Sequence, residues 1–95
     1  MKILLVDDHQ MFLDGMKALL TESDVVTSIE VVNNGRDALR RLQTGGFDIA
    51  LIDLRLPILD GFTLLEEMNK RNNLTPIIIV SASRDPHDIE KAIEL

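Results

Sequence analysis

The chain has 95 residues and a net charge of −6, from 16 acidic against 10 basic side chains. That length makes one small domain, and a hydrophobic content of 45% excludes an intrinsically disordered chain. The absence of cysteine excludes a disulfide scaffold and a thiolate metal site; no stretch approaches the ~18 apolar residues of a membrane span; and the acidity argues against a segment that grips a nucleic acid backbone by itself.

The chain opens Met-Lys-Ile-Leu-Leu-Val-Asp-Asp, a short apolar run stopped by two acids, which is unlike a secretory signal and gives a cytoplasmic protein as the expectation. The run Ile3 to Val6 is the first of four, the others being Ile29 to Val32, Ile49 to Ile52 and Ile77 to Val80. Each is short and lacks alternation, which predicts strands of a parallel sheet buried on both faces. Helical spacing fills the intervals. Phe12, Met16, Leu19 and Leu20 form one stripe, Ala38, Leu39 and Leu42 a second, Leu64, Leu65 and Met68 a third, and Ile89, Ala92 and Ile93 a fourth. Asn33-Asn34-Gly35 and Gly45-Gly46 bracket the second helix, and Asp85-Pro86 suits the start of the fourth. With Phe as the sole aromatic residue type, the core must come from aliphatic side chains. The order βαβαβαβα predicts a doubly wound α/β domain over residues 1–95, with a parallel sheet and right-handed crossovers.

In such sheets ligands bind beyond the carboxyl ends of the strands. Asp7 and Asp8 follow the first strand, Asp53 the third and Ser81 the fourth. If strands one and three are neighbours, three carboxylates converge, and two charges about 4 Å apart repel by roughly 4 kcal/mol at an effective dielectric near 20. The crevice then needs a counter-ion or a bound proton. Oxygen ligands alone favour a hard cation such as Mg²⁺, which would also neutralise a transferring phosphoryl group. Asp7 or Asp8 taken singly reads equally well as a helix N-cap. Asp53 does not, because the next helix starts near Asp60-Gly61. Ser81 by itself reads as a loop residue, and His9, His87 and Lys91 as solvated surface residues with no part in the chemistry.

Leu-Leu-Val-Asp-Asp-His at 4–9, Asp-Leu-Arg-Leu-Pro at 53–57 with Asp60-Gly61 beyond, and Pro-Ile-Ile-Ile-Val-Ser-Ala at 76–82 resemble the receiver domain of two-component response regulators, in family order across the whole chain. The resemblance implies a flavodoxin-like sheet of strand order 2-1-3-4 in the units present. It makes Asp53 the phosphoacceptor, with Mg²⁺ (or Mn²⁺) held by Asp7, Asp8, Asp53 and the backbone carbonyl of Arg55. Ser81 matches the family hydroxyl that meets the phosphoryl group, Ala82 the small residue that admits the phosphodonor, and Pro57 and Gly61 the residues that shape the loop after the acceptor. The implied partner is a sensor histidine kinase or phosphotransfer protein. The Asp-Asp-His opening is similar to that of receivers with a LuxR-type helix-turn-helix output, so DNA would be reached through an output domain that lies outside these residues.

Family receivers have about five βα units, and a Lys before the fifth strand contacts the phosphoryl oxygens. This chain ends at Leu95, within the expected fourth helix and without a C-cap signal. The family Lys, the fifth strand and the fifth helix are therefore expected to be missing through truncation, and Lys91 does not replace the Lys. An apolar strand at 77–80 would then be an open edge, which predicts self-association by edge pairing or by exchange of elements between protomers. Two other functions compete with phosphoacceptance. One is an interaction module that is never phosphorylated. The other is a Mg²⁺-dependent phosphohydrolase, which ranks lower because those enzymes carry Asp-x-Asp after the first strand, where this chain has an adjacent pair.

Overall fold

The computed structural model of the chain describes residues 1–56 and 58–79. Their elements are β1 (Lys2–Val6), α1 (Gln10–Thr21), β2 (Ser28–Val32), α2 (Gly35–Thr44), β3 (Ile49–Ile52), α3 (Gly61–Lys70) and β4 (Ile77–Ile79). The four strands form one parallel sheet in the order β2-β1-β3-β4, as expected for the doubly wound fold. Val80, the fourth helix, Ser81, Ala82, His87, Lys91 and also Pro57 lie outside the described residues.

The central strand explains the lack of alternation in its sequence. Successive side chains of β1 point to opposite faces, and both faces are covered. Leu4 and Val6 join Ala50, Ile52, Ala38, Leu42, Leu64 and Met68 beneath α2 and α3. Ile3 and Leu5 face the other way, onto Leu13, with Met16, Leu20 and Ile29 around them. The outer strands differ from the expectation. β2 sits at an edge with no fully buried residue, and Ile78 and Ile79 of β4 are exposed among the described residues. An apolar run reports β propensity, whereas burial on both faces is a property of the strand's place in the sheet.

The stripe of α1 is also shifted in phase. Leu13 is the buried residue, flanked by half-buried Met16 and Leu20, while Phe12 and Leu19 are exposed. Each helical residue turns the face by about 100°, so the phase depends on how the preceding loop enters the helix, which periodicity does not fix. α2 begins as its sequence suggests: the Asn34 side chain accepts a hydrogen bond from the Asp37 amide at 2.9 Å, and Gly45 ends the helix. α3 is capped by Asp60, whose Oδ1 accepts from the Thr63 amide at 2.8 Å. That contact leaves Asp53 without a capping role. No helix among the described residues is long and apolar enough to cross a membrane.

Candidate functional site: an acidic pocket at the strand ends

The site follows from strand register. Val6 of β1 pairs with Ile52 of β3, so the next residues, Asp7 and Asp53, leave the sheet side by side. Two backbone bonds fix the exit. The Asp53 amide donates to Val6 O at 2.9 Å, and the Asp7 amide donates to Val32 O at 3.2 Å. Asp7 and Asp53 are both buried, Asp53 at 2% exposure, while Asp8 lies on the rim. The structure thus brings Asp7, Asp8 and Asp53 together.

It also brings in His9, for which the sequence predicts a solvated surface position. His9 occupies the N-cap position of α1, so neither Asp7 nor Asp8 does, and its side chain makes no capping bond. Instead the His9 amide donates to Asp7 Oδ1 at 2.8 Å, a two-residue turn that folds the ring back over the acids. Its Nδ1 lies 2.7 Å from Asp7 Oδ1, 3.2 Å from Asp8 Oδ1 and 3.6 Å from Asp53 Oδ2. One donor atom from each of the four residues falls within 4.8 Å of the others. The signal available in the sequence was position: a histidine directly after an acid pair, before the helix has begun.

The electrostatics agree with crowding of charge. Burial pushes the Asp53 carboxyl above its ordinary range; the Arg55 amide, donating to Asp53 Oδ1 at 3.0 Å, opposes this, and the charges of Asp7 and Asp8 add to it. His9 is raised as well, first by its hydrogen bond to Asp7, then by the charges of Asp8, Asp7 and Asp53. Among the described residues no buried side-chain nitrogen or oxygen lacks a partner. The pocket is therefore a preformed anionic cage with the exposed imidazole ring of His9 hydrogen-bonded to Asp7 at its rim.

The other expected site residues divide. Arg55 is exposed and places its amide on the Asp53 carboxylate. Gly61 has a visible reason. A Cβ there would stand 2.6 Å from Leu54 Cα and 2.7 Å from Asp53 O, so α3 can start against the Asp53-Leu54 segment only without a side chain. Pro57, Ser81 and Ala82 lie outside the described residues. The donor set suits a hard divalent cation, since three carboxylates supply oxygen ligands, although the set is not oxygen-only as expected from sequence.

Known proteins share this arrangement of chain. The chain is 34% identical over 94 residues to the transcriptional regulatory protein YdfI of Bacillus subtilis strain 168, covering 99% of this chain and 44% of that protein. It is 33% identical over 96 residues to the Regulator of RpoS of Escherichia coli K12, covering 99% of this chain and 27% of that one. The chain thus spans less than half the length of either relative. Among solved structures, the receiver domain of the Francisella response regulator 1452 superposes with a TM-score of 0.84 at 32% identity, over 97% of this chain and 75% of that one. Residues 3–95 match the response regulator receiver domain model, and the chain belongs to that family.

Proposed function

We propose that Asp53 accepts a phosphoryl group from the phosphohistidine of a sensor histidine kinase or phosphotransfer protein. The observation that supports this most is the placement of Asp53: a carboxylate at 2% exposure, capping no helix, held beside Asp7 at the strand ends. In the transfer a carboxylate oxygen of Asp53 forms a bond to phosphorus as the phosphorus–nitrogen bond of the donor breaks, leaving an acyl phosphate on the protein and imidazole on the donor. The Arg55 amide fixes the carboxylate rotamer through Oδ1. Asp7, Asp8, Asp53 and the carbonyl of Arg55 would hold Mg²⁺ (or Mn²⁺), which neutralises phosphoryl charge when bound. Ser81, Ala82 and Pro57 keep their proposed roles as hydroxyl contact, access residue and loop former. Transcription is the proposed output, supported by the description of YdfI as a transcriptional regulatory protein.

The test is incubation with acetyl phosphate and Mg²⁺, followed by intact-protein mass spectrometry. The expected result is one added phosphoryl group, labile to hydroxylamine and absent from Asp53→Asn. An unmodified wild type, together with unchanged spectra on adding beryllofluoride, would support the never-phosphorylated interaction module instead.

A further inference from the structure

We infer that His9 Nδ1 is a further protein ligand to the cation held by the three carboxylates, and that it biases the pocket toward transition-metal dications such as Mn²⁺ and Co²⁺ over Mg²⁺. The inference rests on the proposed metal site of the receiver and concerns which ion that site selects.

Spacing carries the argument. In an octahedral complex with bonds of about 2.1 Å, adjacent ligand atoms lie about 3.0 Å apart and opposite ones about 4.2 Å. His9 Nδ1 stands 2.7, 3.2 and 3.6 Å from oxygens of Asp7, Asp8 and Asp53. Those three separations cluster around an octahedral edge, and the four donor atoms fit within 4.8 Å, close to an octahedral diameter. In the metal-free protein the same separations are a hydrogen bond to Asp7 and ion-pair distances to Asp8 and Asp53, so the ring already stands among the oxygens that would take the cation. The turn that makes it do so is built into the backbone, through the His9 amide on Asp7 Oδ1.

The chemistry then decides selectivity. Carboxylate and carbonyl oxygens satisfy Mg²⁺, which gains little from imidazole, whereas Mn²⁺, Co²⁺ and later ions gain progressively more from a nitrogen ligand. Ligation uses the Nδ1 lone pair, so the ring binds in its neutral form and any Nδ1 proton passes to solvent. The side chain is 60% exposed, so it can also swing aside and leave a water in its place when Mg²⁺ enters. Mg²⁺ affinity is therefore expected to be nearly independent of His9, and Mn²⁺ affinity dependent on it.

The experiment is isothermal titration of the protein with MgCl₂ and MnCl₂ separately, at a pH above the His9 titration followed by NMR, for wild type, His9→Ala and His9→Gln. It is paired with pulsed electron paramagnetic resonance of the Mn²⁺ complex to detect nitrogen coupling. The expected result is a Mn²⁺ dissociation constant about tenfold weaker in His9→Ala, with Mg²⁺ changed less than about twofold, and a nitrogen coupling present in wild type alone. Circular dichroism spectra that overlay those of wild type establish that the variants are folded. Equal weakening of both ions, or no weakening with no nitrogen coupling, would overturn the inference while leaving the metal site and phosphoacceptance standing. A wild type that binds neither ion would overturn the metal-site reading itself, and the inference with it.

Discussion

Asp53→Asn is expected to stabilise the metal-free protein. A carboxylate oxygen of Asp53 and one of Asp7 lie within 4.8 Å in a buried setting, and at an effective dielectric near 20 two full charges at that distance repel by about 3.5 kcal/mol. The amide of Asn is nearly isosteric, and its Oδ1 still accepts the Arg55 amide bond made by Asp53. That bond weakens by about 1 kcal/mol when its acceptor loses charge, and the His9 ring already offsets part of the repulsion. A net gain of about 1–2 kcal/mol remains, and each kcal/mol raises Tm by about 4–8 °C in a domain of this size. The assay is thermal unfolding in EDTA, repeated with saturating Mg²⁺. Wild type should recover on adding Mg²⁺, since an ion at 100 times its Kd adds about 2.7 kcal/mol, while Asp53→Asn should respond weakly. The sign with pH is fixed by the raised pKa of Asp53. The folded carboxyl binds its proton more tightly than the unfolded one, so the advantage of Asn is fully present above the folded pKa and disappears as pH falls to the unfolded value of about 3.9. A variant no more stable than wild type in EDTA, or one that gains as much from Mg²⁺, would refute the picture of a strained acidic cage.

Four further outcomes follow from single positions. Gly61→Ala should destabilise by about 1–3 kcal/mol and shift the Asp53 and Leu54 amide resonances, because its Cβ meets their backbone. Gly15→Ala on α1, with nothing within 4 Å of its Cβ, should stabilise by about 0.5–1 kcal/mol, and a loss in urea unfolding would refute that packing. Ile58 adopts φ +70° at 70% exposure, and a β-branched residue there stores about 1–3 kcal/mol. Ile58→Gly should therefore raise the urea midpoint despite the entropy that glycine adds to the unfolded chain. His9 should titrate above its ordinary pKa in EDTA when followed by NMR, and Asp8→Asn should bring it down. Its stabilising effect is complete below the unfolded value of about 6.5 and lost as pH rises through the folded pKa. The Tm deficit of His9→Ala must therefore shrink from pH 6 toward pH 9, which a flat difference across about three pH units would contradict.

The sequence made the sheet and the placement of Asp53 legible for the same reason. Runs such as Ile3 to Val6 and Ile49 to Ile52 mark strands, and an acid directly after a strand has few structural uses once Asp60 is seen to cap the next helix. Motif likeness to receivers then named the site. What stayed hidden depends on three-dimensional approach. The phase of α1, with Leu13 rather than Phe12 inward, is set by the turn at Asp7 to His9. The half-exposed state of β2 follows from its place at an edge. There Glu30 pairs bidentately with Arg41 of α2, at 2.7 and 2.8 Å, a contact between residues that no local pattern links. The contacts of His9 depend on the direction of a ring, which spacing along a chain does not encode.

The pairing of Val6 with Ile52 and the bond from the Asp53 amide to Val6 O make the pocket unusually intolerant of one kind of genetic change. A substitution in the loops alters one side chain and leaves the other carboxylates where they were. A single codon inserted or deleted within β3 moves Asp53 by about 3.3 Å and turns it to the opposite face of the sheet, since strand side chains alternate. Lineages carrying this site should therefore accumulate length variation in loops such as 72–75 and almost none between Ile49 and Asp53.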